Sequence, residues 1–184
     1  MKASKNKVKE TELPKIKGLS QREVEIVSWL EFYQKYFFTI KDLEQFIKNK
    51  QQKYNIIKNL LKKKRIVKIN NSKYYLVPMK AKSGGWAEDP FKLADEIMDG
   101  KDYYIGGWSS ANYWRYTDQI PFWIEVYSTR RQGRKRILNT GFIFKRTTLN
   151  RTKKAIIIKA KDHTFRIMSK RETKKWMKLR EYLL

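Results

Sequence analysis

The apolar repeat of residues 20–77 changes once, and few folds accommodate the change. Up to Lys64 apolar residues recur about every 3.6 positions, as on a helix, whereas in "RIVKINNSKYYLV", residues 65–77, they follow the twofold repeat of strands. Its two β-branched and aromatic runs flank Asn70, Asn71 and Ser72, the pattern of a β-hairpin with a tight polar turn. Upstream, Ser20 can cap a helix with Glu23 at capping-box spacing, and Val24, Ile26, Val27, Leu30 and Tyr33 supply its buried side. Thr39 opens a second helical segment in which Ile40, Leu43, Phe46 and Ile47 recur and Asp42 sits in the first turn. A third helix is expected over Lys50–Lys64, with Tyr54, Ile57, Leu60 and Leu61 on one face and Gln51, Gln52, Asn55, Lys58, Asn59 and Lys62 opposite. Three helices followed by a hairpin is the order of a winged helix-turn-helix.

The remainder reads as an α+β unit. Residues 1–18 are lysine-rich and aperiodic, a flexible basic arm ahead of a winged-helix domain over 19–79. "PMKAKSGGWAEDP" then places prolines and the Gly84–Gly85 pair where a linker, 80–89, is expected. In the second domain, 90–184, "DPFKLADEIMDG" offers Asp89 as cap, Pro90 at the first helical position, Phe91, Ala94, Ile97 and Met98 as a buried stripe, and Gly100 as terminator. "DYYIGGWSSANYWRY" suggests a short strand, a turn at Gly106 and Gly107, and a helix entered at Ser109 or Ser110. "PFWIEVYST", "GFIFKRT", "AIIIKAK" and "TFRIMS" are strand-like, with turns at "RRQGRKR" and "KDH", and Trp176, Leu179 and Leu183 give the last stretch a helical stripe. The expected class is α+β with a mixed, mainly antiparallel sheet in the second domain.

Charge separates the function classes. The 184 residues carry a formal +25, distributed as +13 over 1–80, −3 over 81–121 and +15 over 122–184. Such an excess calls for a polyanionic partner or tolerates strong self-repulsion. No stretch has the roughly 18 apolar residues of a membrane span, and no signal peptide follows the charged start, so no membrane association is expected. Absence of cysteine excludes disulfides and thiolate metal sites and fits a cytoplasmic location.

Catalysis has little to draw on. His163 is the one histidine and reads as a solvent-facing turn residue. Asp102, Asp118, Glu125 and Asp162 follow no spacing that demands a metal, and "IGGWSS" lacks the Gly-Lys of a phosphate loop. The chain is therefore read as a non-enzyme with no cofactor and no metal.

The amide-rich face of the third helix is the strongest functional signal. Asn and Gln amides can pair bidentately with adenine in a major groove while flanking lysines meet phosphates. Gln51, Gln52, Asn55 and Asn59 are the candidate base readers, with Lys50, Lys58 and Lys62 beside them and Thr39 at the preceding helix entry. On the wing, Lys68, Asn71, Ser72 and Lys73 would contact the backbone or a minor-groove edge. Arg130, Arg131, Arg134, Lys135 and Arg136 form a further cationic cluster, suited to nucleic acid or a partner. The leading reading is a repressor of double-stranded DNA. The alternative is an RNA- or partner-binding module in which the C-terminal basic domain carries the activity.

"FFTIKDL", "LLKKKRIVKI" running into "YYLVP", and above all "YYIGGWSSANYWRYTDQIP" resemble the AbiEi-like antitoxins of type IV toxin-antitoxin (abortive infection) systems over most of residues 20–160. Tyr103, Tyr104, Ser109, Thr117, Gln119 and Pro121 match the most specific part of that pattern. Two departures stand out: Trp114-Arg115 replaces the family's His-Gly, and Lys64 stands where glycine commonly ends the third helix. The resemblance implies a repressor, expected as a homodimer on DNA, at inverted repeats of its own promoter. It also implies a second domain that helps neutralise a nucleotidyltransferase toxin, either directly or through that toxin's tRNA target.

Overall fold

The structure, a computed structural model, describes residues 18–79, 88–160 and 163–181. All but the last residue of the expected basic arm, most of the expected linker and the start of the "KDH" turn lie outside the described residues. The chain is α+β, with helices packed around two sheets.

Helix α1, Gln21–Phe32, begins at the expected box: Ser20 accepts from the Glu23 backbone, and the Glu23 carboxylate accepts from the Ser20 backbone N–H at 2.6 Å. It is followed by β1, Phe37–Thr39, a 3-10 turn over Ile40–Leu43, α2, Lys50–Lys62, and the strands β2, Ile66–Lys68, and β3, Lys73–Leu76. The second helix is thus shorter and tighter than expected. Thr39 opens it through Asp42, but Asn49 must be extended to cap α2, so the intervening chain has little room to propagate. Leu43 and Ile47 are still buried.

Strands β1, β3 and β2 form an antiparallel sheet in that order, pairing Phe38 with Tyr74 and Val67 with Tyr75. Alternation sends neighbouring side chains to opposite faces. Phe38, Ile66, Tyr74 and Leu76 join Ile26, Leu30, Leu43, Ile57 and Leu60 in an N-terminal core. Phe37, Val67 and Tyr75, with Ile69 just beyond β2, pack instead into the core of the second unit. The small sheet is covered on both faces.

The second unit contains α3, Pro90–Met98; β4, Tyr103–Ile105; α4, Gly107–Tyr113; β5, Trp123–Ser128; β6, Gly133–Ile137; β7, Thr140–Arg146; α5, Leu149–Lys153; β8, Ile156–Ala160; β9, His163–Ile167; and α6, Lys170–Glu181. Its sheet runs β6-β7-β5-β4-β9-β8, with β5/β7 and β4/β9 parallel and the other pairs antiparallel. Tyr103, Ile105, Ile124 and Val126 face α3 and the hairpin, and α4 and α6 pack on the opposite side. Asp89 accepts from the Phe91 and Lys92 backbones at 2.8 and 2.9 Å and so caps α3 as expected, although Leu93 is fully buried and Phe91 only half-buried.

Several expectations are corrected. "GRKRI" is edge strand β6, not turn, because Ile137 and the aromatic neighbours of its arginines reward an extended backbone. His163 opens β9 half-buried, 3.8 Å from Asp89 Oδ1, and does not face solvent in a turn. Helix α4 begins two residues before Ser109, since Gly107 takes φ +60° and lies against the Glu125 carboxylate, which no side chain there would permit. Tyr33 and Leu179 are exposed, and Leu183 lies outside the described residues. Among the described residues, no helix is long and apolar enough to cross a membrane.

The hairpin turn is pinned by Asn70. Its Oδ1 accepts from the Ser72 and Lys73 backbones at 2.9 Å each, while its Nδ2 donates to the Glu96 carbonyl at 3.2 Å and to Asp99 Oδ1 at 3.0 Å. Asn70→Ala removes both sets and leaves buried groups unpaired, so urea denaturation should show a loss of about 1–3 kcal/mol.

Candidate nucleic-acid interface

Helix α2 owes its orientation to a narrow inner face. Ile57 and Leu60 are buried, with Ile56 and Leu61 packed beside them. The unexpected inward residue is Lys53, whose stem is buried while its Nζ reaches Glu44 Oε1 at 3.1 Å near solvent. Tyr54, expected inside, is 46% exposed as a consequence of this rotation. At the helix start Asn49 Oδ1 accepts from the Gln52 backbone at 3.2 Å. At its end Lys63 Nζ donates to Glu23 Oε2 at 2.6 Å, tying α2 to the start of α1.

The outward side matches the expected one. Lys50, Gln51, Gln52, Asn55, Lys58, Asn59 and Lys62 are all exposed, and Gln51 Nε2 donates to Asn55 Oδ1 at 3.2 Å across one helical turn. Lys50, Lys58 and Lys62 have no carboxylate partner among the described residues. The first turn of α2 contains no acid, so its positive pole is not neutralised from within the helix.

Termination of α2 sets Lys64 beside Ile66, Val67 and Lys68 of β2. The Arg65 N–H bonds the Leu60 carbonyl at 2.9 Å and the Lys64 N–H bonds the Leu61 carbonyl at 3.0 Å, the paired closure of a Schellman motif. Lys64 therefore adopts φ +56°, a left-handed conformation that glycine accepts at far lower cost. Helix α4 ends in the same way: Tyr116 bonds Ala111 and Arg115 bonds Asn112, each at 2.9 Å, with Arg115 at φ +58°.

The hairpin contributes less than expected. Lys68, Asn71 and Ser72 are exposed, but Lys73 Nζ lies 2.6 Å from Glu96 and 3.1 Å from Asp99. Burial lowers the Lys73 pKa, yet hydrogen bonds and attraction from those two carboxylates outweigh it and hold the ammonium above its ordinary value. Thr39 is likewise engaged, donating from its backbone and hydroxyl to Asp42 Oδ2 at 2.6 and 2.9 Å. Neither Lys73 nor Thr39 is placed as an outward contact.

The Arg130–Arg136 cluster is divided by its secondary structure. Arg130 donates to the Met98 and Lys101 carbonyls and lies 3.7 Å from Asp102, closing the end of α3. Lys135 donates to the Ile69 carbonyl at 3.2 Å, and burial with repulsion from Arg131 and Lys68 lowers its pKa. Arg134 and Arg136 lie on the other face of β6 over the Trp123 ring, while Arg131 stacks on Phe144. The five residues do not form one patch.

The Tyr103–Pro121 segment does structural work. Tyr103 Oη donates to Asp95 at 2.6 Å, Ser109 Oγ accepts from the Glu125 backbone at 2.9 Å, and Asn112 holds the Thr117 and Gln119 carbonyls at 3.3 and 3.1 Å. Buried Glu125 is ion-paired with Lys145 and accepts from the Trp108 backbone at 3.1 Å. Asp102 pairs with Arg130, Asp118 is exposed, and Asp162 lies outside the described residues. Among the described residues, no three His, Asp or Glu side chains gather as a metal site. No family model matches the chain, and neither does any curated protein.

Burial raises the Glu23 pKa, but the Lys63 ammonium and Ser20 donors more than reverse this, leaving it below 4.5. Its stabilising contribution is thus complete above the unfolded carboxylate value and disappears as pH falls through the lowered folded value. Denaturation from pH 6 to pH 2, a range of about 4 units spanning that window, should be measurably less steep in pH for Glu23→Gln.

Proposed function

We propose that the chain is a sequence-specific, double-stranded-DNA-binding transcriptional repressor, not an enzyme. The outward α2 face carries this reading: four amides at helical spacing stand among lysines that have no internal carboxylate partner. In this role Gln51, Gln52, Asn55 and Asn59 read base edges in the major groove, and Lys50, Lys58, Lys62 and Lys68 meet phosphates. The order α1, β1, 3-10 turn, α2, β2, β3 supports a winged helix-turn-helix whose second helix has contracted to a tight turn.

The antitoxin reading rests on the AbiEi-like resemblance, and the two departures from that pattern are compatible with its backbone. Lys64 and Arg115 occupy the left-handed positions of helix closures, where glycine fits best and where the family carries it. On this reading the protein represses its own operon from promoter inverted repeats, as a homodimer in the cytoplasm. The second unit acts against a nucleotidyltransferase toxin, directly or through the toxin's tRNA target.

Lys64 is a basic residue in a conformation that costs it stability. Lys64→Gly should raise folding stability by about 0.5–1 kcal/mol in urea titrations while leaving duplex affinity within about twofold, because Lys64 is not among the phosphate contacts. Weakened folding would show that the left-handed conformation costs Lys64 nothing.

Duplexes enriched from random sequence provide the direct test, read by fluorescence anisotropy. Four ammonium–phosphate contacts per protomer, about eight in the homodimer, give a salt slope near −7.2, or roughly a 20,000-fold loss of affinity between 50 and 200 mM salt. Asn55→Ala should cost about 1–3 kcal/mol on the preferred duplex and flatten discrimination, whereas Lys58→Ala should weaken all sequences similarly. No preference among duplexes by the unmodified protein would refute the proposal.

A further inference from the structure

Helices α5 and α6 border a cleft of about 490 Å³ on the side of the six-stranded sheet remote from α3 and the hairpin. Its floor is aromatic. Tyr104 of β4 and Tyr127 of β5 are cross-strand partners with rings parallel to within 1° and centroids 5.0 Å apart. Trp176 of α6 forms a wall, braced edge-on by Trp108 at 5.3 Å and covered by the Arg180 guanidinium at 4.8 Å. Above this apolar base stand Arg151, Lys154 and Lys175, none with a carboxylate partner among the described residues, against one lining acid, Glu172.

The site is thus planar and apolar at depth, and cationic at its mouth. We infer that this cleft binds single-stranded nucleic acid, seating an unpaired base against Trp176 beside the Tyr104–Tyr127 pair, whose Tyr127 ring is already covered by Lys145 at 5.5 Å, and its phosphates against Arg151, Lys154 and Lys175. Three features favour that ligand class. The volume lies within the roughly 300–1,000 Å³ of small-molecule sites and accommodates a nucleotide. Stacking on aromatic side chains beneath a cationic track is how unpaired strands are held without sequence preference. A base within a duplex cannot enter such a recess, because its faces are already stacked on its neighbours.

Position supports independence from α2. Alternation along β4 places Tyr103 in the core shared with the hairpin and Tyr104 on the opposite face, so the sheet separates the cleft from the N-terminal unit. Other cations on the same two helices are available as internal controls. Lys153 of α5 and Lys174 of α6 are exposed outside the cleft, and Lys174 lies 5.2 Å over the Tyr116 ring.

The test uses the full chain and fluorescence anisotropy with labelled oligouridylate, oligothymidylate and a duplex. The double variant Arg151→Ala/Lys175→Ala should lose about tenfold or more in affinity for single strands while keeping duplex affinity within about twofold. The matched-charge control Lys153→Ala/Lys174→Ala should lose no more than about threefold on single strands. Trp176→Leu should weaken single-strand binding about fivefold or more without changing the salt slope, because it removes stacking and no charge. Preference for oligouridylate or for oligothymidylate identifies the strand chemistry, and binding of either supports the cleft. Failure of the unmodified protein to bind any single strand would overturn the inference. So would equal losses in the two double variants, or inorganic polyphosphate competing as well as oligouridylate per charge. Duplex binding is read separately, so failure here and failure of the repressor reading are distinguishable.

Discussion

Everything in this molecule is referred to a sheet of three short strands that is buried from both sides. Tyr74 and Leu76 project into one core and Tyr75, between them, into the other. Tyr75 has no exposed surface, and its hydroxyl donates to Glu88 at 3.0 Å just before α3. Burial and the adjacent carboxylate both push its pKa far upward, so it remains a neutral donor. A fully buried side chain of this kind contributes about 1.5–3 kcal/mol. A hairpin exposed on one face could swing; this one is a shared wall, and polar pins at Asn70 and Lys73 set its angle to α3.

The scarce acids are deployed according to the same economy of position. Glu23, Asp42 and Glu44 hold Lys63, Lys35 and Lys53 in the N-terminal unit, while Glu96 and Asp99 hold Lys73, and Glu125 holds Lys145. These carboxylates fix elements relative to one another, and few remain to neutralise the outward lysines. The net +25 is therefore a property of surfaces, concentrated where acids have been withdrawn into the framework. Helix α2 contains no acid at all, so its lysines gain no i,i+4 pairing within the helix.

Local chemistry was legible in the sequence wherever it decided the outcome alone. The Ser20–Glu23 box, the Asp89–Pro90 start of α3, the hairpin turn and the strand-forming runs all follow from adjacent residues. The outward α2 face was legible because apolar spacing fixes both sides of a helix at once. Competition between neighbours was not legible: Thr39 begins a helix that Asn49 cuts short, and Lys53 displaces Tyr54 from the inner face by reaching Glu44. Nor could spacing show that Lys73 would meet two carboxylates more than twenty residues away, or that alternation in β6 would turn Lys135 from Arg134 and Arg136. The α5–α6 cleft needs Tyr104, Tyr127 and Trp176 together, and nothing local joins them.

Docking of the hairpin fixes how the N-terminal unit can present itself to a ligand. A free hairpin would be able to adjust to a ligand, but here the turn is tied through Asn70 to the end of α3. The angle between α2 and the hairpin is therefore set before any ligand arrives, and only Lys68, Asn71 and Ser72 remain outward at the turn. Preorganisation of this kind lowers the ordering cost of association and narrows the surfaces that fit. It also ties the hairpin to the second unit, because the Lys73 and Asn70 contacts that hold it are made to Glu96 of α3 and to Asp99 just beyond it. A partner that moved α3 would move the hairpin with it, whereas one bound across the sheet near Tyr127 would act only through the sheet itself.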